Sequence, residues 1–273
     1  MIKGEDLLLD LEEQMQTIKL PLMALKLDEI YRSPDYLHMD KLDFLSALLA
    51  PEFKDKVTKT INNRLRTAHI IGTPCEIASC RDSKRRQYEP TGAPKTLSSL
   101  RFVEEGQNVC ILGASDSGKT YLAKALGATA CEKYRVSYNR CSELLESLVA
   151  LKNEDYARYE RRMRKLLNFH LLILDDFLLN TITDEREVKI LLEIMEKRIE
   201  LSRSTIICSQ REPESWKSMI MNDEVSSNAI MKIFRRPWSS SVPMHAFLHR
   251  PPCNHKGHCF WFSSVLLLPY CFP

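Results

Sequence analysis

The sequence predicts an α/β fold: a mainly parallel sheet flanked by helices, preceded by a small all-helical unit. Three observations predict it. Short apolar runs of strand length recur at 107–112, 171–174 and 204–210. Longer segments with apolar residues at helical spacing lie between them. The first 95 residues show helical periodicity and no convincing strand.

The first run, "QNVCIL", leads directly into "GASDSGKT" at 113–120. Gly113, four residues, then Gly118, Lys119 and Thr120 is the spacing of a phosphate-binding loop. The glycines let the backbone curl until its N–H groups face phosphate oxygens. Lys119 is expected at the β- and γ-phosphates, where it also serves catalysis, and the Thr120 hydroxyl on Mg²⁺. A helix follows with Leu122, Ala125, Leu126 and Ala130 on one face, and its positive end points at the same phosphates. The candidate cofactor-binding residues here are Gly113, Ala114, Ser115, Asp116, Ser117, Gly118, Lys119 and Thr120. The implied cofactors are ATP and Mg²⁺.

The second run, Leu171 to Leu174, is apolar throughout, as in a strand buried on both faces. Asp175 and Asp176 end it, where α/β folds place ligands. Asp175 is the candidate Mg²⁺ orienter, directly or through water. Asp176 is the candidate catalytic carboxylate that polarises the attacking water. Asp has a shorter reach than the Glu more common there, so slow hydrolysis is expected. The third run, "STIICSQ", ends in Ser209 and Gln210, candidates to face the γ-phosphate.

The intervening helices carry their own signals. In 156–167, Tyr156, Tyr159, Met163 and Leu167 share an apolar face. Arg158, Arg162 and Lys165 line the opposite one, with Arg161 beside them. Thr183 is a candidate N-cap for a helix carrying Val188, Leu191, Leu192, Met195 and Ile199. Near the start, Leu7, Leu11, Met15, Ile18 and Leu22 repeat at helical spacing until Pro21 interrupts. Asp40 can cap a second helix with Leu42, Leu45 and Leu49. A third carries Val57, Ile61, Leu65 and Ala68, with Lys59, Asn63 and Arg66 on its other face. A basic, proline-broken stretch then reads as a linker. The expected organisation is a helical adaptor and linker at 1–95, a nucleotide-binding domain at 96–234, and a tail at 235–273. The two basic stripes (Lys59 and Arg66; Arg158, Arg161, Arg162 and Lys165) are candidates for duplex DNA. They match no base-reading motif, so binding should be largely sequence-independent.

Composition sets limits. The 273-residue chain is 44% hydrophobic and 27% charged, with a net charge of +3, a globular profile with too little charge to name a partner. No run of about 18 apolar residues marks a membrane span, and the first residues are not those of a signal peptide. An ATP user is expected in the cytoplasm, where thiols stay reduced. Six of the nine cysteines therefore read as small core residues.

Four segments together carry a resemblance: "LEEQMQTIKLPLMA", "FVEEGQNVCILGASDSGKTYLAKALG", "LLILDDF" and "TIICSQREPESWKSMIMNDEVSSNAIM". The chain resembles the IstB-like helper ATPases of insertion sequences, relatives of the DnaC helicase loader within the AAA+ class. The likeness runs from about residue 5 to about residue 233 and rests most specifically on the last segment. It implies an AAA+-like P-loop fold, ATP hydrolysis, homo-oligomers assembled on DNA, and a partner transposase met by the helical N-terminal domain. A nucleotide-switched adaptor with little hydrolysis and a non-functional truncated copy are the other readings.

After Met231 the pattern is lost. No Asp or Glu follows Glu224, and Pro, Trp, Cys and His crowd together, as after a reading-frame change. Arg235 and Arg236 lie near the position of the family's trans-acting arginine but do not inherit that role. His245, His249, Cys253, His255, His258 and Cys259 fit no standard zinc spacing. With Pro243 in the nearest candidate strand, the edge of the P-loop strand is expected to be open or badly paired.

Overall fold

The computed structural model describes residues 2–70, 75–83, 86–220 and 245–249. It opens with three helices, α1 (Ile2–Thr17), α2 (Pro21–Tyr31) and α3 (Lys41–Thr67). Pro21 stands at the first position of α2, where a missing N–H leaves no bond unmade. Leu8, Leu27, Ile30 and Leu48 form the core of this unit, with Leu11, Met15 and Phe44 packed against it. Leu7 and Ile18, expected on the inward face of α1, are exposed.

Helix α2 has no side-chain cap of its own. Glu52 of α3 supplies one. Its Oε2 accepts from the N–H groups of Leu22 at 3.0 Å and Met23 at 3.4 Å. The carboxylate also meets the positive end of the helix dipole, which accounts for a buried glutamate in so small a core.

Helix α3 is one continuous helix where the sequence suggests two, with Pro51 inside it. Asp40 caps it as expected, accepting from Leu42 N–H at 2.9 Å. Phe44, Ala47 and Leu48 turn inward. Leu42, Leu45 and Leu49 are exposed, and Phe53 and Val57 continue their stripe.

The second unit is built on a sheet. Its elements are β1 (Gln87–Glu89), α4 (Ala93–Leu97), α5 (Arg101–Glu104), β2 (Val109–Gly113), α6 (Lys119–Ala130), β3 (Val136–Arg140), α7 (Cys141–Glu154), α8 (Tyr156–Asn168), β4 (Leu171–Asp175), α9 (Glu185–Glu200), β5 (Ser204–Ser209), α10 (Trp216–Met219) and β6 (His245–His249). The strand order is β1-β6-β2-β5-β4-β3. Neighbours from β6 to β3 run parallel, and β1 is antiparallel to β6.

Both faces of the central strands are covered, so alternate residues enter different cores. Val109, Ile111, Leu171, Ile173, Ile206 and Cys208 pack with α6. Cys110, Leu112, Leu172, Leu174 and Ile207 pack with α7, α8 and α9. Cys75, Cys80, Cys110, Cys131, Cys141 and Cys208 are buried and free, as expected of core cysteines. No helix among the described residues is long and apolar enough to cross a membrane.

Arg198 of α9 is the charged residue most deeply set in this unit. Its guanidinium donates to the carbonyls of Leu166, Phe169 and Ser204 and to Thr205 Oγ1. The C-terminal end of α8 is thereby tied to the start of β5, and carbonyls that α8 leaves open are satisfied. The cap of α9 is Asp184, one residue past the expected Thr183, accepting from Arg186 N–H at 2.8 Å.

Two stretches pack otherwise than expected. Ala68, Ile70, Cys75, Cys80, Tyr88 and Ala93 share the core of β2 and α6, so the stretch read as a linker up to residue 95 is part of the sheet unit. It even supplies a strand, β1, where none is legible. Arg64 of α3 fastens the junction, donating to the carbonyls of Cys131 at 3.2 Å and Glu132 at 2.8 Å. At the other end, the expected open edge of β2 is occupied. Strand β6 pairs along it, Cys110 with His245 through Gly113 with Leu248. Pro243 precedes the strand in sequence and lies outside the described residues. The rest of the tail, including Arg235, Arg236 and Cys253 to Cys259, lies outside the described residues.

Candidate functional site

The parallel register brings the strand ends to one edge. Leu112 pairs with Ser209, Leu174 with Ile207, and Arg140 with Asp175. The phosphate loop, Asp175, Asp176 and Gln210 therefore converge at the carboxyl end of the sheet, where α/β folds hold ligands. A cleft of about 430 Å³ lies there. Ser115, Asp116, Gly118, Lys119, Thr120, Asp176 and Gln210 line it, along with Cys75, Tyr121 and Lys124.

The loop leaves β2 through Gly113 and Ala114 and reaches α6 at Gly118, whose φ is 101°. Only glycine takes that conformation without strain. The Lys119 ammonium donates back across the loop to Ala114 O at 2.7 Å. Burial lowers its pKa, opposed by Cys208, Asp175, Asp176 and Asp116 in that order. Ser117 is buried, and its hydroxyl has no partner among the described residues. A lysine folded onto its own loop and an orphaned hydroxyl fit a site whose ligand brings acceptor oxygens. The residues present thus suit a nucleotide's phosphates.

Asp175 is buried at the end of β4. Its Oδ2 accepts from the Tyr138 hydroxyl at 2.6 Å and its Oδ1 from Asp176 N–H at 3.0 Å. Asp176 sits in the left-handed region at φ 52° and is half-buried; Arg140 Nε lies 3.9 Å from its Oδ2. The chain turns sharply here, which sends Asp176 to the cleft while Asp175 stays behind it.

Ser209 does not face the cleft. It is fully buried, donating to Phe177 O at 2.9 Å and accepting from Arg211 N–H at 3.2 Å. It holds the turn after β4 against β5. Gln210 is the one of the pair on the cleft.

The basic candidates divide. Lys59 is exposed and pairs with Asp55 at 2.8 Å. Arg66, Arg158, Arg161, Arg162 and Lys165 are exposed. Tyr156 is exposed as well, so the inward face of α8 is Tyr159, Met163, Leu166 and Leu167. Lys165 shares a groove of about 460 Å³ with Asn63, Arg64 and Arg135, which joins the polar face of α3 to α8. Arg162 lines a second groove with His69, Tyr138 and Arg140.

Sequence reasoning missed Tyr138, Arg140, Lys124, Tyr121 and Cys75. Tyr138 and Arg140 lie on β3, whose sequence carries little strand signal, and the pairing with β4 brings them to its acidic end. Among the described residues no group of three or more His, Cys, Asp or Glu is placed to hold a metal ion by itself.

Fold and cleft together define a P-loop nucleotide-binding protein of the α/β class. The family of IstB-like ATP binding proteins matches residues 13–235, and the chain belongs to that family. It is 30% identical over 215 residues to an insertion sequence ATP-binding protein of Sinorhizobium fredii, covering 77% of this chain and 84% of that one. It is 34% identical over 134 residues to the insertion sequence IS232 ATP-binding protein of Bacillus thuringiensis subsp. berliner, covering 49% of this chain and about half (52%) of the relative. The insertion sequence IS21 ATP-binding protein of Pseudomonas aeruginosa is 25% identical over 230 residues, with 81% and 82% covered. Among solved structures, the DnaC helicase loader matches with a TM-score of 0.43 at 23% identity, covering 52% of this chain and 84% of that one.

Proposed function

We propose that this protein binds ATP with Mg²⁺ and hydrolyses it slowly, assembles on duplex DNA as a homo-oligomer, and regulates a partner transposase. The observation that carries the reading is the cleft itself, in which the phosphate loop, Asp176 and Gln210 line one cavity in a member of a family of insertion-sequence ATP-binding proteins. Mg²⁺ supplies charge neutralisation at the phosphates. Thr120 would be its ligand, and Asp175, held by Tyr138 and by Asp176 N–H, would orient it directly or through water. Lys119 leaves Ala114 O for the β- and γ-phosphates. Asp176 orients the attacking water. Gln210 faces the γ-phosphate.

The exposed basic residues of α8, with the Lys165–Arg64–Arg135 groove, are the DNA surface. The contact is to phosphates and largely independent of sequence. The helical unit is the transposase-binding and assembly module, and the exposed Leu42, Leu45, Leu49, Phe53 and Val57 stripe supports that role. A cytoplasmic location accords with ATP use.

A second reading, a nucleotide-switched adaptor with little hydrolysis, draws on Asp176, which is short and has Arg140 3.9 Å away. ATP turnover with and without duplex DNA, in the parent and in Lys119→Ala, decides. DNA-stimulated turnover abolished in Lys119→Ala is expected. Tight ATP binding without turnover, with or without DNA, would establish the adaptor instead.

A further inference from the structure

Two described stretches between α3 and β1 meet the phosphate loop and the helix that follows it. Near its start, Glu76 N–H donates to the Tyr121 hydroxyl at 3.2 Å, and Cys75 lines the cleft. Near its end, the Arg86 guanidinium covers Gly118. A Cβ placed on Gly118 would stand 3.2 Å from Arg86 Cζ and from one terminal nitrogen, and 3.4 Å from Nε. Three guanidinium atoms at nearly one distance mean that the group lies flat over this residue. Gly118 is glycine for its φ of 101°, and a Cβ there would also crowd the arginine by a few tenths of an ångström.

Arg86 is held there by its surroundings. Its backbone bridges Ser83, with Ser83 N–H to Arg86 O at 2.7 Å and Arg86 N–H to Ser83 O at 3.2 Å. Asp82 fastens the chain beyond Arg86, accepting from Tyr88 N–H at 2.8 Å and Gly92 N–H at 3.3 Å. Tyr88 is buried in the sheet core two residues on. The backbone of Arg86 is thus tied to Ser83, and the chain just beyond it to Asp82.

We propose that Arg86 is a phosphate-binding residue, a second cation beside Lys119, supplied within the same chain by the segment that follows the helical unit. This rests on nucleotide binding at 113–120. Guanidinium is the side chain best matched to phosphate oxygens, through paired N–H donors. It lies over the loop at Gly118, so it serves the phosphates that ADP and ATP share and reports nucleotide presence rather than the γ-phosphate. Because its turn continues into β1, bound nucleotide also fixes the segment joining the two units.

Equilibrium titration with fluorescent ADP and ATP tests this, in the parent, Arg86→Ala, Arg86→Gln and Arg86→Lys. Arg86→Ala and Arg86→Gln should weaken both nucleotides about tenfold or more, as expected when a charge-assisted bond is removed. Arg86→Lys should recover part of the affinity. Hydrogen exchange at 86–89 should slow on adding ADP in the parent and not in Arg86→Ala. Unchanged affinity in variants whose apo melting temperature equals the parent's would overturn the proposal. So would tighter binding, which would make Arg86 a plug over the loop. If the parent binds no nucleotide, or Lys119→Ala binds as tightly as the parent, the nucleotide site itself fails, a result separate from any change at Arg86.

Discussion

Tyr138 donates its hydroxyl to Asp175 Oδ2 at 2.6 Å. The bond crosses from β3 to β4 and fixes the carboxylate that the next peptide N–H holds from the other side. Burial, followed by the hydrogen bond to Asp175, pushes the phenol's pKa far up. The proton therefore stays on Tyr138 throughout the physiological range, and the donor is constant.

Tyr138→Phe keeps the ring and removes that donor. Asp175 then loses the short bond from Tyr138, and its orientation toward Mg²⁺ loosens. The expected outcome is weaker Mg²⁺-dependent ATP binding with little change in Mg²⁺-free binding. Stability should fall by about 1–2 kcal/mol, since Tyr138 is partly exposed and the acceptor is charged. Urea unfolding and nucleotide titration with and without Mg²⁺ check both parts.

The two aspartates should separate by function. Asp176→Asn keeps the size and the turn but cannot take a proton from water, so ATP should stay bound while turnover stops. Asp175→Asn should instead weaken the Mg²⁺-dependent part of binding. Single-turnover hydrolysis beside binding isotherms distinguishes them. Parental turnover in Asp176→Asn would assign the water to another group.

The central strands and the phosphate loop are legible because their signals are local. "CIL", "LLIL" and "TIIC" are buried on both faces, and the glycine spacing is a fixed-distance pattern. Strand β3 is not legible in the same way. It lies at the end of the sheet, and "VSYNR" carries a single aliphatic residue. Strand β1 is three residues long, and its Tyr88 is the only one of them buried. The inward faces of α1 and α3 are misread because leucines occur on both sides of each helix, so periodicity alone does not choose between Leu7 and Leu8, or Leu45 and Leu48. Ser209 and Gln210 are adjacent and both polar. Which one reaches the cleft depends on the Phe177 carbonyl, brought in from the turn after β4, 32 residues earlier.

DNA contact through α8 predicts a salt effect. Replacing Arg158, Arg162 and Lys165 together by alanine should flatten the slope of log K against log salt, by about 0.9 for each phosphate no longer neutralised. All three are exposed, so the fold should tolerate the change. Adding Lys59→Ala should change the slope little, because that ammonium already faces Asp55. Fluorescence anisotropy on a random duplex across a salt series measures this. An unchanged slope in the triple variant would make α8 an ordinary solvated face.

Strand β6 joins the two halves of the last prediction. It pairs with β2 on one side and β1 on the other. Ending the chain before His245 would leave the P-loop strand with a bare edge and β1 without its sheet partner. Bare parallel edges invite association with other chains, so the truncated protein should aggregate more readily than the full chain. Amides from Val109 to Leu112 should be well protected in the full chain and exchange early after truncation. Nucleotide affinity should fall as well, because β1 holds the turn that sets Arg86 over Gly118. Hydrogen exchange on both chains, with an ADP titration of each, reads all three effects. Equal protection of Val109 to Leu112 in the two chains would show that the sheet stands without β6 and that the segment after Pro243 is dispensable to the site.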